Sequence, residues 1–103
     1  KPGGTLSLAS GISHYGGDYG QAEYYKIGNI VYVDGLIKGT DGKSHLATLP
    51  VGYRPDKRLI FNLNNHTGTY RLDVTVDGII YWIAGSRTHN WLSLTGISFY
   101  VKG

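Results

Sequence analysis

Arg87-Thr88-His89-Asn90-Trp91 sets a guanidinium, a hydroxyl, an imidazole, an amide and an indole side by side. A simple hairpin turn needs none of these, since glycine or proline would serve. A second segment, Tyr15-Gly16-Gly17-Asp18-Tyr19, places two phenols and a carboxylate around a glycine pair that allows close backbone approach. Shallow sugar sites use this chemistry: an aromatic ring stacks on the apolar face of the sugar while amide, carboxylate and imidazole groups take its hydroxyls. The candidate ligand-binding residues are therefore Tyr15, Asp18, Tyr19, Arg87, His89, Asn90 and Trp91. Asn64-Asn65-His66 offers similar groups in a third loop. Each loop taken alone also reads as ordinary polar surface.

Other chemistries find no support. Gly42-Lys43-Ser44 ends like a phosphate-binding loop, but Ile37 stands where that motif requires glycine, so the segment reads as a hairpin turn. The four histidines, His14, His45, His66 and His89, form no pair at metal-ligand spacing. No serine sits in a nucleophile-elbow setting. Asp34, Asp41 and Asp77 each precede a glycine and read as turn or bulge residues. Asp18, Glu23, Asp56 and Asp73 have no partner visible in sequence for paired-carboxylate work. Asn65-His66-Thr67 fits the N-glycosylation pattern, which matters only in a eukaryotic secreted protein. Neither an enzyme nor a cofactor is expected.

The elements that must position these loops are strands. Tyr70-Arg71-Leu72-Asp73-Val74-Thr75-Val76 alternates strictly, with Arg71, Asp73 and Thr75 assigned to the outer face. Asp77-Gly78 follows as a two-residue hairpin turn, and Ile79-Ile80-Tyr81-Trp82-Ile83 is the returning strand. That strand is apolar on both sides, and burial between subunits is the simplest cover for the extra face. Gln21 to Ile27 turns at Gly28-Asn29 into a run from Ile30 to Lys38, with a bulge expected at Asp34-Gly35. Ser44 to Thr48 and Leu59 to Leu63 are further strands. The segment Leu49 to Pro55 is an irregular connection, because its prolines exclude a central ladder. Trp91 to Val101 closes the chain, with a second bulge at Thr95-Gly96 where the alternation changes parity. The expected fold is all-β: an antiparallel sandwich or jelly-roll-like barrel of about 7–8 short strands. Residues 1–20 are a flexible lead-in and a Gly/Tyr loop, and 21–103 the sandwich core of a single domain.

Composition agrees. The 103 residues contain 16 glycines, 9 tyrosines and no cysteine, which removes disulfide frameworks and thiolate metal sites. The nine tyrosines and two tryptophans exceed what one small core holds, so several are exposed. The net charge of +3 is weak, and Arg54, Lys57 and Arg58 form a thin basic cluster, so nucleic acid is not expected as a partner. No apolar run approaches the roughly 18–20 residues of a membrane span, and no leader pattern is present, so the chain reads as a mature or excised domain.

Several segments, taken in order, carry a resemblance: Ala22-Glu23-Tyr24-Tyr25-Lys26-Ile27-Gly28-Asn29-Ile30-Val31-Tyr32-Val33-Asp34-Gly35-Leu36-Ile37-Lys38-Gly39, then Leu49-Pro50-Val51-Gly52-Tyr53-Arg54-Pro55, then Arg71-Leu72-Asp73-Val74 and Asp77-Gly78, and last Trp91 to Phe99. From about residue 20 onward the chain resembles the small C-terminal head domain of bacteriophage tail fibres and collagen-like surface proteins. The resemblance implies a trimeric antiparallel β-domain at the end of a fibre or stalk, on a virion or other extracellular surface, binding cell-surface carbohydrate. The alternative is a trimerisation or capping module without its own ligand site. Arg54 is read as structural, within a proline-braced loop.

Overall fold

Alternating apolar residues bounded by glycine turns produce short antiparallel strands with little else between them. The computed structural model describes residues 2–64, 68–85 and 90–102. The strands are β1 (Gly3–Thr5), β2 (Ser7–Leu8), β3 (Ser13–His14), β4 (Glu23–Ile27), β5 (Ile30–Asp34), β6 (Leu36–Lys38), β7 (His45–Thr48), β8 (Leu59–Asn64), β9 (Thr69–Val74), β10 (Ile79–Gly85), β11 (Trp91–Ser93) and β12 (Ile97–Tyr100). They form three sheets, ordered β1-β4-β5-β12, β2-β7-β10-β9-β8 and β11-β6-β3. The fold is all-β, antiparallel and sandwich-like, with more and shorter strands than the seven or eight expected. Residues 1–20 are not merely a lead-in: three of these strands lie there, and Leu6 and Ile12 are buried.

The largest difference from the sequence expectation lies at the two bulges. Gly35, at φ 120°, ends β5 and begins β6, which joins another sheet. Thr95-Gly96 separates β11 from β12 in the same way. β12 pairs with β5 and β11 with β6, so the two runs lie antiparallel and turn the corner together. The Gly35 amide donates to Thr95 Oγ1 at 3.0 Å, and the Leu94 amide donates to the Gly35 carbonyl at 2.8 Å. Only glycine fits: a Cβ on Gly35 would collide with Ala22, and the backbone is left-handed there.

The β9–β10 hairpin forms, but its turn is longer than two residues. The Gly78 amide donates to the Thr75 carbonyl at 2.9 Å and the Thr75 amide to the Ile79 carbonyl at 3.0 Å. This is a three-residue loop with glycine in the left-handed position, and it leaves Val76 exposed. Arg54 Nε donates to the Leu49 carbonyl at 2.8 Å, bracing the proline loop from within.

One core joins the sheets. Trp82, Tyr70, Leu72, Val74, Ile80, Leu46 and Leu49 meet Val31, Val33, Ile37, Leu92, Leu94 and Ile97 there. Ile80 and Trp82 thus face this core, and the additional apolar face of β10 is the one carrying Ile79, Tyr81 and Ile83. Ile60, across the same sheet, joins it at 57% exposure, with Ile83 at 41%.

Asp73 departs from its expected outer, solvated position. Its side chain is fully buried, with Arg58 Nε at 2.8 Å and Arg71 Nε at 2.9 Å from its two oxygens. Hydrogen bonds from Arg71, then from Arg58, outweigh burial and hold its carboxyl below the usual range. The outer face therefore carries a carboxylate capped by two half-exposed guanidinium groups.

Candidate functional site

The β11-β6-β3 sheet explains how two distant loops reach one place. Strand β6 lies in the middle: Ser13 and His14 of β3 pair with Lys38 and Ile37 on one edge. Trp91, Leu92 and Ser93 of β11 pair with Lys38, Ile37 and Leu36 on the other. Leu92 and Ile37 point into the core, so Trp91, Ser93 and Leu36 share the outer face. The Tyr15 amide then donates to the Leu36 carbonyl at 3.0 Å, holding the Gly/Tyr loop against that face.

The result is an open groove of about 700 Å³ lined by Tyr15, Tyr19, Asp34, Gly35, Leu36, Trp91, Ser93 and Thr95. That volume lies in the range of small-ligand sites. One wall is aromatic. The rings of Tyr15 and Tyr19 meet edge to face, 5.2 Å apart at 86°, and both are exposed. A 3-10 turn at Gly17–Tyr19 holds this arrangement through Tyr19 N–H to Gly16 C=O at 3.1 Å and Gly20 N–H to Gly17 C=O at 3.2 Å. Trp91, half-buried, stands across β6 from them.

The polar floor comes from the corner. Thr95 Oγ1 accepts from the Gly35 amide, which leaves its hydroxyl proton for another acceptor. Ser93 Oγ accepts from the Thr95 amide at 3.3 Å, with the same consequence. Asp34 adds a carboxylate, an acceptor only when ionised. Hydroxyl donors, a carboxylate acceptor and apolar ring faces within one open groove can take a ligand that presents both apolar faces and polar edges.

The sequence-derived residues divide into four groups. Tyr15, Tyr19 and Trp91 line the groove together. Asp18 sits exposed in the 3-10 turn between the tyrosines and does not line it. Asn90 acts at a distance: its Oδ1 accepts from the Asp41 amide at 2.9 Å and its carbonyl from the Gly39 amide at 3.1 Å, anchoring the residue before Trp91. Arg87 and His89 lie outside the described residues, as does the glycosylation triplet at Asn65. Of the remaining histidines, His14 accepts the Ala22 amide on Nδ1 at 2.9 Å, and His45 Nε2 lies 3.2 Å from Thr48 Oγ1.

Sequence reasoning missed Asp34, Gly35, Leu36, Ser93 and Thr95. Their signal was the pair of irregularities at Asp34-Gly35 and Thr95-Gly96, because breaks in strands often sit beside sites. That these two breaks coincide is a property of pairing, invisible along the chain.

No family model matches the chain, and no curated protein does. Among solved structures, the crystal structure of the receptor-binding protein (gp15) of Listeria phage PSA is similar, with a TM-score of 0.77 and 23% sequence identity. The likeness covers 99% of this chain and 66% of that one, so the chain spans just under two thirds of its neighbour's length. At this identity the likeness establishes the fold. No helix among the described residues is long and apolar enough to cross a membrane.

Proposed function

We propose that this chain is a receptor-binding domain, displayed on a virion or other extracellular surface, that holds a cell-surface glycan in the groove between Tyr15, Tyr19 and Trp91. The convergence of Tyr15 and Tyr19 with Trp91, 72 positions beyond Tyr19, on one groove with hydroxyl and carboxylate groups in its floor carries this reading. The likeness in fold to a phage receptor-binding protein supports it. Binding is by stacking and hydrogen bonding alone, and no reaction is assigned to the chain.

Three copies associate in this reading, through outer sheet faces such as that of Ile60, Tyr81 and Ile83. The same exposed face favours a second reading, a trimeric cap for a stalk with no ligand of its own. A glycan array probed with the chain separates the two. Binding to a defined sugar that disappears in Trp91→Ala and Tyr19→Ala supports the receptor-binding reading. A stable trimer that binds no glycan supports the cap.

A further inference from the structure

We propose that Asp34 sets the ligand class of the groove, admitting uncharged or amine-bearing sugars and rejecting those that carry phosphate or carboxylate; this rests on the glycan reading of the same site. Asp34 is the only formally charged side chain among the described residues lining the groove. Asp34 stands directly opposite Glu23 in the β4–β5 ladder, so two carboxylates face one another across neighbouring strands. Among the described residues neither makes an ion pair, since the salt bridges there join Arg58 and Arg71 to Asp73 and Lys102 to Asp56. Asp18, exposed in the turn between the two tyrosines, does not line the groove. The Lys38 ammonium lies 5.8 Å from the Tyr15 ring centroid and does not line the groove.

Like charges directly opposite in a ladder are unfavourable as a rule, so a carboxylate pair kept at the groove's edge is informative about the ligand. A carboxylate there can only accept, so the bound group must donate, as vicinal hydroxyls or an ammonium do. An anionic sugar would bring like charge beside Asp34 in a groove whose described lining offers no cation to offset it. Asp34 also borders the adjacent shallow cleft of about 300 Å³, lined by Gly3, Gly4, Glu23, Tyr24 and Tyr25. Asp34 thus borders both depressions, and a longer glycan crossing from one to the other passes over it.

The test is a chemical-shift titration of the chain and of Asp34→Asn with four probes: N-acetylglucosamine, glucosamine, N-acetylneuraminic acid and glycerol 3-phosphate. The wild-type chain is expected to bind at least one of the first two about tenfold or more tightly than either anion, with shifts at Trp91 and Tyr19. Asp34→Asn removes the charge at nearly unchanged side-chain volume, so its fold is retained and the preference over anions collapses toward unity. Anions bound as tightly as the uncharged sugar by the wild type, or a preference unchanged in Asp34→Asn, overturns the role of Asp34 while leaving the groove as the site. No shift at Trp91 or Tyr19 with any probe overturns both.

Discussion

The Tyr70 hydroxyl donates to the carbonyl of Ser93 at 2.6 Å, tying β9 of the five-stranded sheet to β11 of the sheet that bears the groove. Tyr70 is buried, with its ring 5.9 Å from that of Trp82. This bond fixes the strand carrying Trp91 and Ser93 to the core, so the groove inherits its position from the interior.

Tyr70→Phe deletes that donor and leaves a buried carbonyl without it. We expect a loss of about 1–2 kcal/mol in urea unfolding, with the fold retained. The same residue governs alkaline stability. Burial, opposed by the bond to Ser93, pushes its phenol from 10.0 up to about 12. The unfolded chain therefore releases this proton more readily than the folded one. Its contribution is intact below pH 10 and lost as pH rises through about 12. A pH series of urea midpoints, compared with Tyr70→Phe, isolates this component; identical alkaline profiles would contradict it.

Acid acts through Asp73 in the opposite sense. Its carboxyl titrates below 3.8 in the folded chain, so its contribution is present above that value and declines as pH falls through the folded pKa. Asp73→Ala should cost about 2 kcal/mol at pH 7, because two guanidinium groups lose their shared acceptor. Urea midpoints measured between pH 7 and 2 should converge for the variant and the parent.

The corner at Gly35 tolerates no side chain. Gly35→Ala is expected to cost about 3 kcal/mol or more, from the left-handed backbone and the collision with Ala22. Thermal unfolding followed by circular dichroism checks this, and an unchanged melting temperature would show that the corner relaxes freely.

Much of the strand framework is legible in the alternation, because each strand buries one face and glycine or Asp-Gly closes each turn. Tyr70, Leu72 and Val74 announce their burial this way, whereas Asp73 does not, since its partner Arg58 lies on another strand's approach. The corners at Gly35 and Thr95-Gly96 are visible only as irregularities. A bulge and a change of sheet give the same break in parity, and pairing alone distinguishes them. For the groove, Tyr15, Tyr19 and Trp91 stand out by type, while Ser93, Thr95 and Asp34 look like ordinary turn residues until β11 and β5 are placed.

The two faces of the sheet that holds β8 and β10 predict different fates for two variants. Ile80→Asp buries a carboxylate in the core and should abolish folding, at a cost of several kcal/mol. Ile60→Asp together with Ile83→Asp changes exposed positions, so the chain should fold yet lose self-association in light scattering. If the parent chain already scatters as a monomer at low micromolar concentration, the trimeric reading fails.

The most direct test is a backbone amide shift map of the chain with a glycan selected from an array. Shifts should concentrate at Tyr15, Tyr19, Asp34 to Leu36 and Trp91 to Thr95, and vanish in Trp91→Ala with the remaining spectrum unchanged. Shifts confined to the Leu49–Pro55 loop, with the groove residues unmoved, would contradict it.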